Sequence, residues 1–245
     1  MQIANNIFHN EVFTLKIGIF TDSHYSTREV TIKVRFNRKS LQKIKEAYRF
    51  FEEEKCDLVI CLGDLIDKEP SHQQEIINLK EVAEVIKSSP LKTVCVMGNH
   101  DGFTFTPDEF YDILGGCRPD DICEDGKNLI FLDACHFKTG VHYAPGDTDW
   151  TDTFYPHLDI LKEKLASANG DVYIFIHQNI DMNIRNDHRL FNAEEINELL
   201  KESNKVKTVY QGHYHKGNES FTDGIRYKAF PAMCEKDNAV FIEEI

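Results

Sequence analysis

Short apolar runs of strand length recur along the chain, at Leu15–Phe20, Leu58–Leu62, Thr93–Met97, Leu129–Leu132, Val172–Ile176 and Val206–Tyr210. They are rich in Val, Ile and Phe and continuous rather than alternating, which predicts strands covered on both faces. This constrains the fold most, because every sheet then needs a packed layer on either side. Segments with helical periodicity supply such layers. Ser40–Lys55 sets Leu41, Ile44, Ala47, Tyr48 and Phe51 on one stripe, with Ser40 as its expected N-cap. Glu75–Lys87, Leu158–Ala168 and Ala193–Glu202 read the same way, the last with Asn192 as N-cap and acidic residues in its first turn. Strands alternating with helices predict an α/β fold. Gly224–Phe230 and Ala239–Ile242 are strand-like with no helix between them, so one flank is expected to finish antiparallel. No repeat, low-complexity tract or linker composition interrupts the pattern, and residues 1–245 read as one domain.

Charge narrows the function classes. Asp+Glu number 41 against 28 Lys+Arg, a net charge of -13, which argues against a broad surface for nucleic acid or anionic membrane. No apolar run approaches the ~20 residues of a membrane-spanning helix. The opening MQIANNIFHNEVF lacks the basic-then-apolar pattern of a secretion signal, and a soluble cytoplasmic protein is expected. The 7 cysteines show no C-x-x-C spacing, so no zinc ribbon or redox pair is signalled; Cys61 and Cys95 read as small buried hydrophobes.

The chemistry gathers where the strands end. The first run leads into Asp22 and His24, the second into Asp64 and Asp67, the third into Asn99, His100 and Asp101, the fifth into His177, and the sixth into His213 and His215. Open α/β sheets form their ligand crevice at that edge. In extended chain, residues two apart face the same side, so Asp22 with His24, and His213 with His215, can aim at one point. Gly63, Gly98 and Gly212 precede Asp64, Asn99 and His213, where glycine allows a sharp turn and a close backbone approach. Any one of these residues alone has an ordinary reading as a hydrogen-bonded polar group after a strand. Crowding this many imidazoles and carboxylates at one edge is costly without a counter-ion. Divalent metals supply that charge, and a mixed imidazole, carboxylate and amide set suits Mn, Fe or Zn.

The ordered motifs D-x-H (22–24), G-D-x-x-D (63–67), G-N-H-D (98–101), the lone His177 and G-H-x-H (212–215) resemble those of the calcineurin-like metallophosphoesterase family, from about Lys16 to the C-terminus. The resemblance implies a two-layered mixed β-sheet sandwich flanked by helices and a two-metal centre that hydrolyses phosphate esters or anhydrides. It implies Asp22, His24, Asp64 and His215 around one metal, and bridging Asp64, Asn99, His177 and His213 around the other. His100 would stand beside the scissile phosphate, either as proton donor or as hydrogen-bond donor to phosphate, with Asp67 orienting it.

Within the family, the stretch Asp22–Leu41 with L-G-D-L-I-D and G-H-Y-H-K-G is similar to the ADP-ribose/CDP-alcohol diphosphatase branch, departing from it at His24 and Asp101. The complete D-x-H motif is similar to cyclic-nucleotide and glycerophosphodiester phosphodiesterases. A small phosphorylated substrate is therefore expected, ahead of a nucleic acid, a phosphoprotein or a catalytically silent metal-binding role. Tyr25, Phe103, Tyr143, Trp150 and Tyr214 are candidate substrate contacts, by stacking on a base, with core packing as the alternative for each. Arg28, Arg35 and Arg38 read as a basic patch for a second phosphate or as solvated surface. The long connection 133–156, holding His136, His142, Tyr143 and Trp150, reads as a substrate lid or as an excursion packed on the sheet.

Overall fold

The computed structural model describes residues 14–30, 32, 34–146 and 155–245. In chain order the elements are β1 (Lys16–Phe20), α1 (Ser40–Glu53), β2 (Leu58–Cys61), α2 (His72–Ser88), β3 (Lys92–Cys95), α3 (Asn99–Gly102), α4 (Pro107–Leu114), β4 (Ile122–Glu124), β5 (Lys127–Leu132), α5 (Leu158–Ser167), β6 (Asp171–Ile176), α6 (Ala193–Ser203), β7 (Val206–Gln211), β8 (Asn218–Thr222), β9 (Ile225–Ala229) and β10 (Phe241–Glu244).

The strands form two mixed sheets. The first has the order β10-β1-β2-β3, parallel except for β10 against β1. The second has the order β4-β5-β6-β7-β9-β8, a parallel centre with antiparallel β4 and β8 at its edges. One apolar layer joins the sheets: Ile17, Ile19, Leu58, Ile60 and Val94 from the first, and Leu129, Phe131, Phe175 and Tyr210 from the second. The alternate residues of the same strands, Phe20, Val59, Cys61, Ile174, Ile176 and Val209, belong to the cluster that contains the helix residues Ile44, Phe51, Leu79, Leu161 and Ile196. Residues of both parities are thus buried, which is why the runs do not alternate. The mixed two-sheet sandwich with flanking helices is the expected architecture.

Several details differ from the sequence reading. Ser40 does not cap α1; a 3₁₀ turn, Asn37–Lys39, runs into the helix and Ser40 is already helical and buried. Asn192 does occupy the N-cap of α6, yet its side chain makes no capping bond. The expected antiparallel finish is present but split between the sheets: β9, parallel to β7, pairs antiparallel with β8, and β10 pairs antiparallel with β1. The turns Asp125–Gly126 and Asp223–Gly224 close the β4–β5 and β8–β9 hairpins with φ > 0 at both residues, a signal that marks two-residue hairpin loops. Helix α4 carries Thr106 as a true cap, accepting from the Glu109 amide at 3.3 Å, with Pro107 in its first turn.

A polar tie also joins the sheets. Glu243 of β10, on the first sheet, accepts from Arg226 Nη1 at 2.6 Å and pairs with Lys228, both on β9 of the second. The Tyr210 hydroxyl donates to the same carboxylate at 3.3 Å.

Candidate active site

The segments that leave β1, β2, β3, β6 and β7 converge at the C-terminal edges of both sheets. Backbone bonds align the first two: the amides of Asp22, His24 and Tyr25 donate to the carbonyls of Gly63, Asp64 and Leu65 at 3.0, 2.9 and 2.9 Å. Asp22, His24, Asp64 and His213 all lie in the left-handed region, with φ of 52°, 42°, 52° and 60°. For residues other than glycine this conformation costs on the order of 1–3 kcal/mol each and persists where surrounding bonds overdetermine it. The glycines divide by cause. Gly63 has φ +95°, whereas Gly98 has ordinary backbone but would place a Cβ 2.2 Å from Asp64 Oδ1.

Two groups of donors meet at Asp64. In the first, Asp22 Oδ1 lies 3.2 Å from His215 Nε2 and 3.6 Å from His24 Nε2, which is itself 3.5 Å from Asp64 Oδ2. In the second, His177 Nε2 lies 3.2 Å from both Asp64 Oδ2 and Asn99 Oδ1, and donor atoms of Asp64, His177 and His213 fall within 4.8 Å of one another. The structure thus brings the predicted residues into proximity, Asp22, His24 and His215 on one side of Asp64 and Asn99, His177 and His213 on the other. Beside them His100 Nδ1 is 3.2 Å from Asp67 Oδ1.

The donor chemistry fits cations. His177 Nδ1 donates to the Leu62 carbonyl at 2.5 Å and His215 Nδ1 to Glu235 at 2.6 Å, which turns both Nε2 atoms toward carboxylate oxygens. Asp22 Oδ1 is buried without a hydrogen-bond partner. Burial, with the neighbouring His100, pushes His24 down to about 4. Burial, with His177, pushes His213 down to about 3, so both imidazoles are neutral at neutral pH. Burial opposes charge on His177 as well, but Asp64 and Asp22 outweigh it and raise that group to about 10. A proton and a metal ion would compete for that one nitrogen. His100 is also raised, its burial outweighed by Asp64 and Asp67.

Several residues support the site; Asp101 belongs to the third motif, whereas Asn37 and Glu235 lie outside every motif. Buried Asp101 accepts from the amides of Leu65 and Gly98, each at 3.0 Å, tying the second motif to the third; burial and Asp64 push it up to about 7. Asn37 donates to the His24 carbonyl at 2.6 Å and to Asp67 Oδ2 at 3.0 Å. Glu235 sits 20 residues beyond His215 and reaches it only through the fold.

A cavity of about 410 Å³ opens over Asp64, His100, His213 and His215, and Arg35, Arg185, Lys216, His188 and Tyr214 line it. Of the aromatic candidates, Tyr214 is at this cavity. Tyr25 is buried with its hydroxyl donating to Glu81 at 2.5 Å, and Tyr143 is buried and stacked on Phe103 at 4.4 Å. Trp150 and part of the 133–156 connection lie outside the described residues. Of the three arginines, Arg35 lines the cavity, while Arg28 turns to the Lys68 carbonyl and Glu69.

Fold and site together define a two-sheet α/β sandwich with a cluster of metal-type donors at the joined strand ends. Residues 15–217 match the calcineurin-like phosphoesterase family, and the chain belongs to that family of metal-dependent phosphoester hydrolases. It is 25% identical over 197 residues to a probable cyclic nucleotide phosphodiesterase of Psychrobacter arcticus, covering 75% of this chain and 65% of that protein. It is 26% identical over 228 residues to another protein of that name from Fibrobacter succinogenes, covering 88% of this chain and 77% of the relative. The crystal structure of a dimetal phosphatase from Danio rerio shares the fold, with a TM-score of 0.79, 17% identity, and coverage of 93% of this chain and 91% of that one. Among the described residues no helix is long and apolar enough to cross a membrane.

Proposed function

We propose that this chain hydrolyses phosphodiester or diphosphate bonds of small nucleotide-like or phospho-alcohol substrates at a two-metal centre. The observation that carries the reading is the convergence of the His177 and His215 Nε2 atoms on Asp64 and Asp22 beneath a cavity lined by Arg35, Arg185 and Lys216. Asp22, His24, Asp64 and His215 would hold one ion, and Asp64, Asn99, His177 and His213 the other. The mixed N and O donors suit Mn, Fe or Zn. When bound, two such ions supply Lewis acidity and a hydroxide nucleophile near neutral pH.

The remaining work belongs to the side chains. His100, held by Asp67 and raised by Asp64 and Asp67 against its burial, presents a donor to the leaving oxygen or the phosphoryl group. Arg35, Arg185 and Lys216 attract an anionic substrate into an otherwise acidic protein, and Tyr214 offers a ring to a base. A cyclic-nucleotide phosphodiesterase is the second reading, favoured by the names of the sequence relatives.

The test is a panel of ADP-ribose, CDP-choline, cyclic AMP, glycerophosphodiesters and p-nitrophenyl esters with Mn²⁺, Fe²⁺ or Zn²⁺. Turnover of a diphosphate above the cyclic nucleotide supports the first reading, and the reverse order supports the second. No turnover of any member with any metal overturns both.

A further inference from the structure

A second group of metal-type donors lies at the root of the segment that follows β5, apart from the centre above. Asp133, Cys135 and His142 each offer a ligand atom, all within 4.8 Å of one another. Asp133 and Cys135 are two apart in sequence, and His142 comes across a small antiparallel turn. That turn is closed by the His136–His142 bridge, by the Tyr143 amide donating to the Cys135 carbonyl at 2.9 Å, and by the Phe137 amide donating to Val141 at 2.8 Å.

Two buried ring nitrogens without hydrogen bonds point to a cation. His142 Nδ1 donates to the Tyr143 carbonyl at 2.8 Å, so its Nε2 is the free ring position. That Nε2 lies 3.2 Å from Asp133 Oδ2, yet it is buried with no hydrogen bond. His136 Nδ1 is likewise buried and unbonded, with its ring edge-on to His142 at 4.9 Å and to His157 at 4.4 Å. Asp133 is pre-set by accepting from the Cys135 amide at 2.7 Å through its other oxygen. A buried ring nitrogen left unpaired is costly, and one ion would satisfy it while also taking the nearby carboxylate and sulfur as ligands.

We propose that Asp133, Cys135 and His142 form a separate site for a single zinc-class divalent ion, with water or His136 completing the coordination. The mixed N, O and S donor set suits zinc better than Mg²⁺ or Ca²⁺. Binding would release the Cys135 proton, which the thiol now directs at the Gly98 carbonyl, 3.3 Å away. The ion would clip both sides of the turn to the end of β5, next to the Gly98 backbone that leads into Asn99. Its role would be to stiffen this wall.

The experiment strips the full-length protein with chelator and reloads it with Zn²⁺ or Co²⁺ alone. Wild type should retain one more equivalent of Zn²⁺ than His142→Ala and Asp133→Asn, and the Co²⁺ form should show thiolate-to-cobalt charge-transfer absorption. Cys135→Ser should abolish that band, while Cys234→Ser, which alters the sulfur near His24 and His215, should leave it. Equal metal content in wild type and His142→Ala, or a band that survives Cys135→Ser, overturns the proposal. Far-UV circular dichroism on each variant separates lost binding from lost fold. The site is independent of turnover, so a failed substrate panel would not touch it.

Discussion

Glu235 accepts from the Nδ1 of His215 across 2.6 Å, and this bond decides which nitrogen of His215 faces Asp22. A carboxylate behind a ligand imidazole fixes its tautomer and raises its basicity, and losing such a partner typically weakens metal affinity about 10–100-fold. Glu235→Ala should therefore raise the Mn²⁺ concentration needed for half-maximal activity by about that factor. Turnover at saturating metal should change much less. A metal titration of activity reads both, and unchanged metal dependence would remove Glu235 from the site.

Asp64 faces both donor groups, through one oxygen that is 3.5 Å from His24 Nε2 and 3.2 Å from His177 Nε2. Asp64→Ala should lower metal content in both groups at once, whereas His215→Ala should spare the group that contains His177. Metal analysis after dialysis distinguishes the two outcomes.

His100 is set apart from the metal-facing imidazoles by its Asp67 partner at 3.2 Å. His100→Ala should keep the metal content of wild type and lose about 10²–10⁴-fold in turnover, the usual share of a positioned proton donor. Asp67→Asn should keep metal too and shift the alkaline limb of the pH–rate profile downward, because the imidazolium loses its counter-charge. A variant with normal turnover would exclude His100 from the chemistry.

Gly98→Ala tests close approach rather than backbone freedom, since its φ is -93°. The added Cβ would sit 2.2 Å from Asp64 Oδ1 and 2.3 Å from the Asp64 amide. Relieving that clash must move Asp64 or the turn into α3, at a cost of ~1–3 kcal/mol. Thermal unfolding should register the loss, and metal affinity should fall with it.

The Glu243 tie predicts a pH-dependent contribution to stability. Burial pushes this carboxyl up, but its bonds to Arg226 and Lys228 outweigh that and hold it below the usual glutamate range. A depressed folded-state value means the stabilisation is complete above the unfolded value of about 4.3 and is lost as pH falls through the lower, folded one. Glu243→Gln should cost about 1–3 kcal/mol at neutral pH. The gap between the two melting curves should close in acid. A gap that stays constant to low pH would assign the loss to packing.

Much of the fold could be read from the chain because its strands are buried on both faces. The resulting apolar runs, such as Leu58–Cys61 and Asp171–Ile176, stand out without any alignment. The elements that escaped are the ones stabilised by local turns: β4 and β8 are short edge strands with exposed residues and no apolar run to betray them. The residues ending the strands were equally plain, since Asp22, Asp64, Asn99, His177 and His213 follow apolar runs directly. Their supports were not. Asn37 and Glu235 act through contacts between segments distant in sequence, and a lone polar residue outside a motif does not show which carbonyl or imidazole it will meet. Tyr25 and Tyr143 illustrate the opposite difficulty, since an aromatic near a motif can equally well face the core, as both do.

The donors at Asp22, Asp64 and Asn99 ride on one sheet and those at His177 and His213 on the other, so the centre exists only while the two sheets are in register. Anything that lets the layers slide, even a truncation at Phe131 or Phe175 well inside the seam, should appear first as weaker metal retention. Conversely, an ion seated across that seam would act as a rivet, and its occupancy would report how tightly the halves of the molecule are closed.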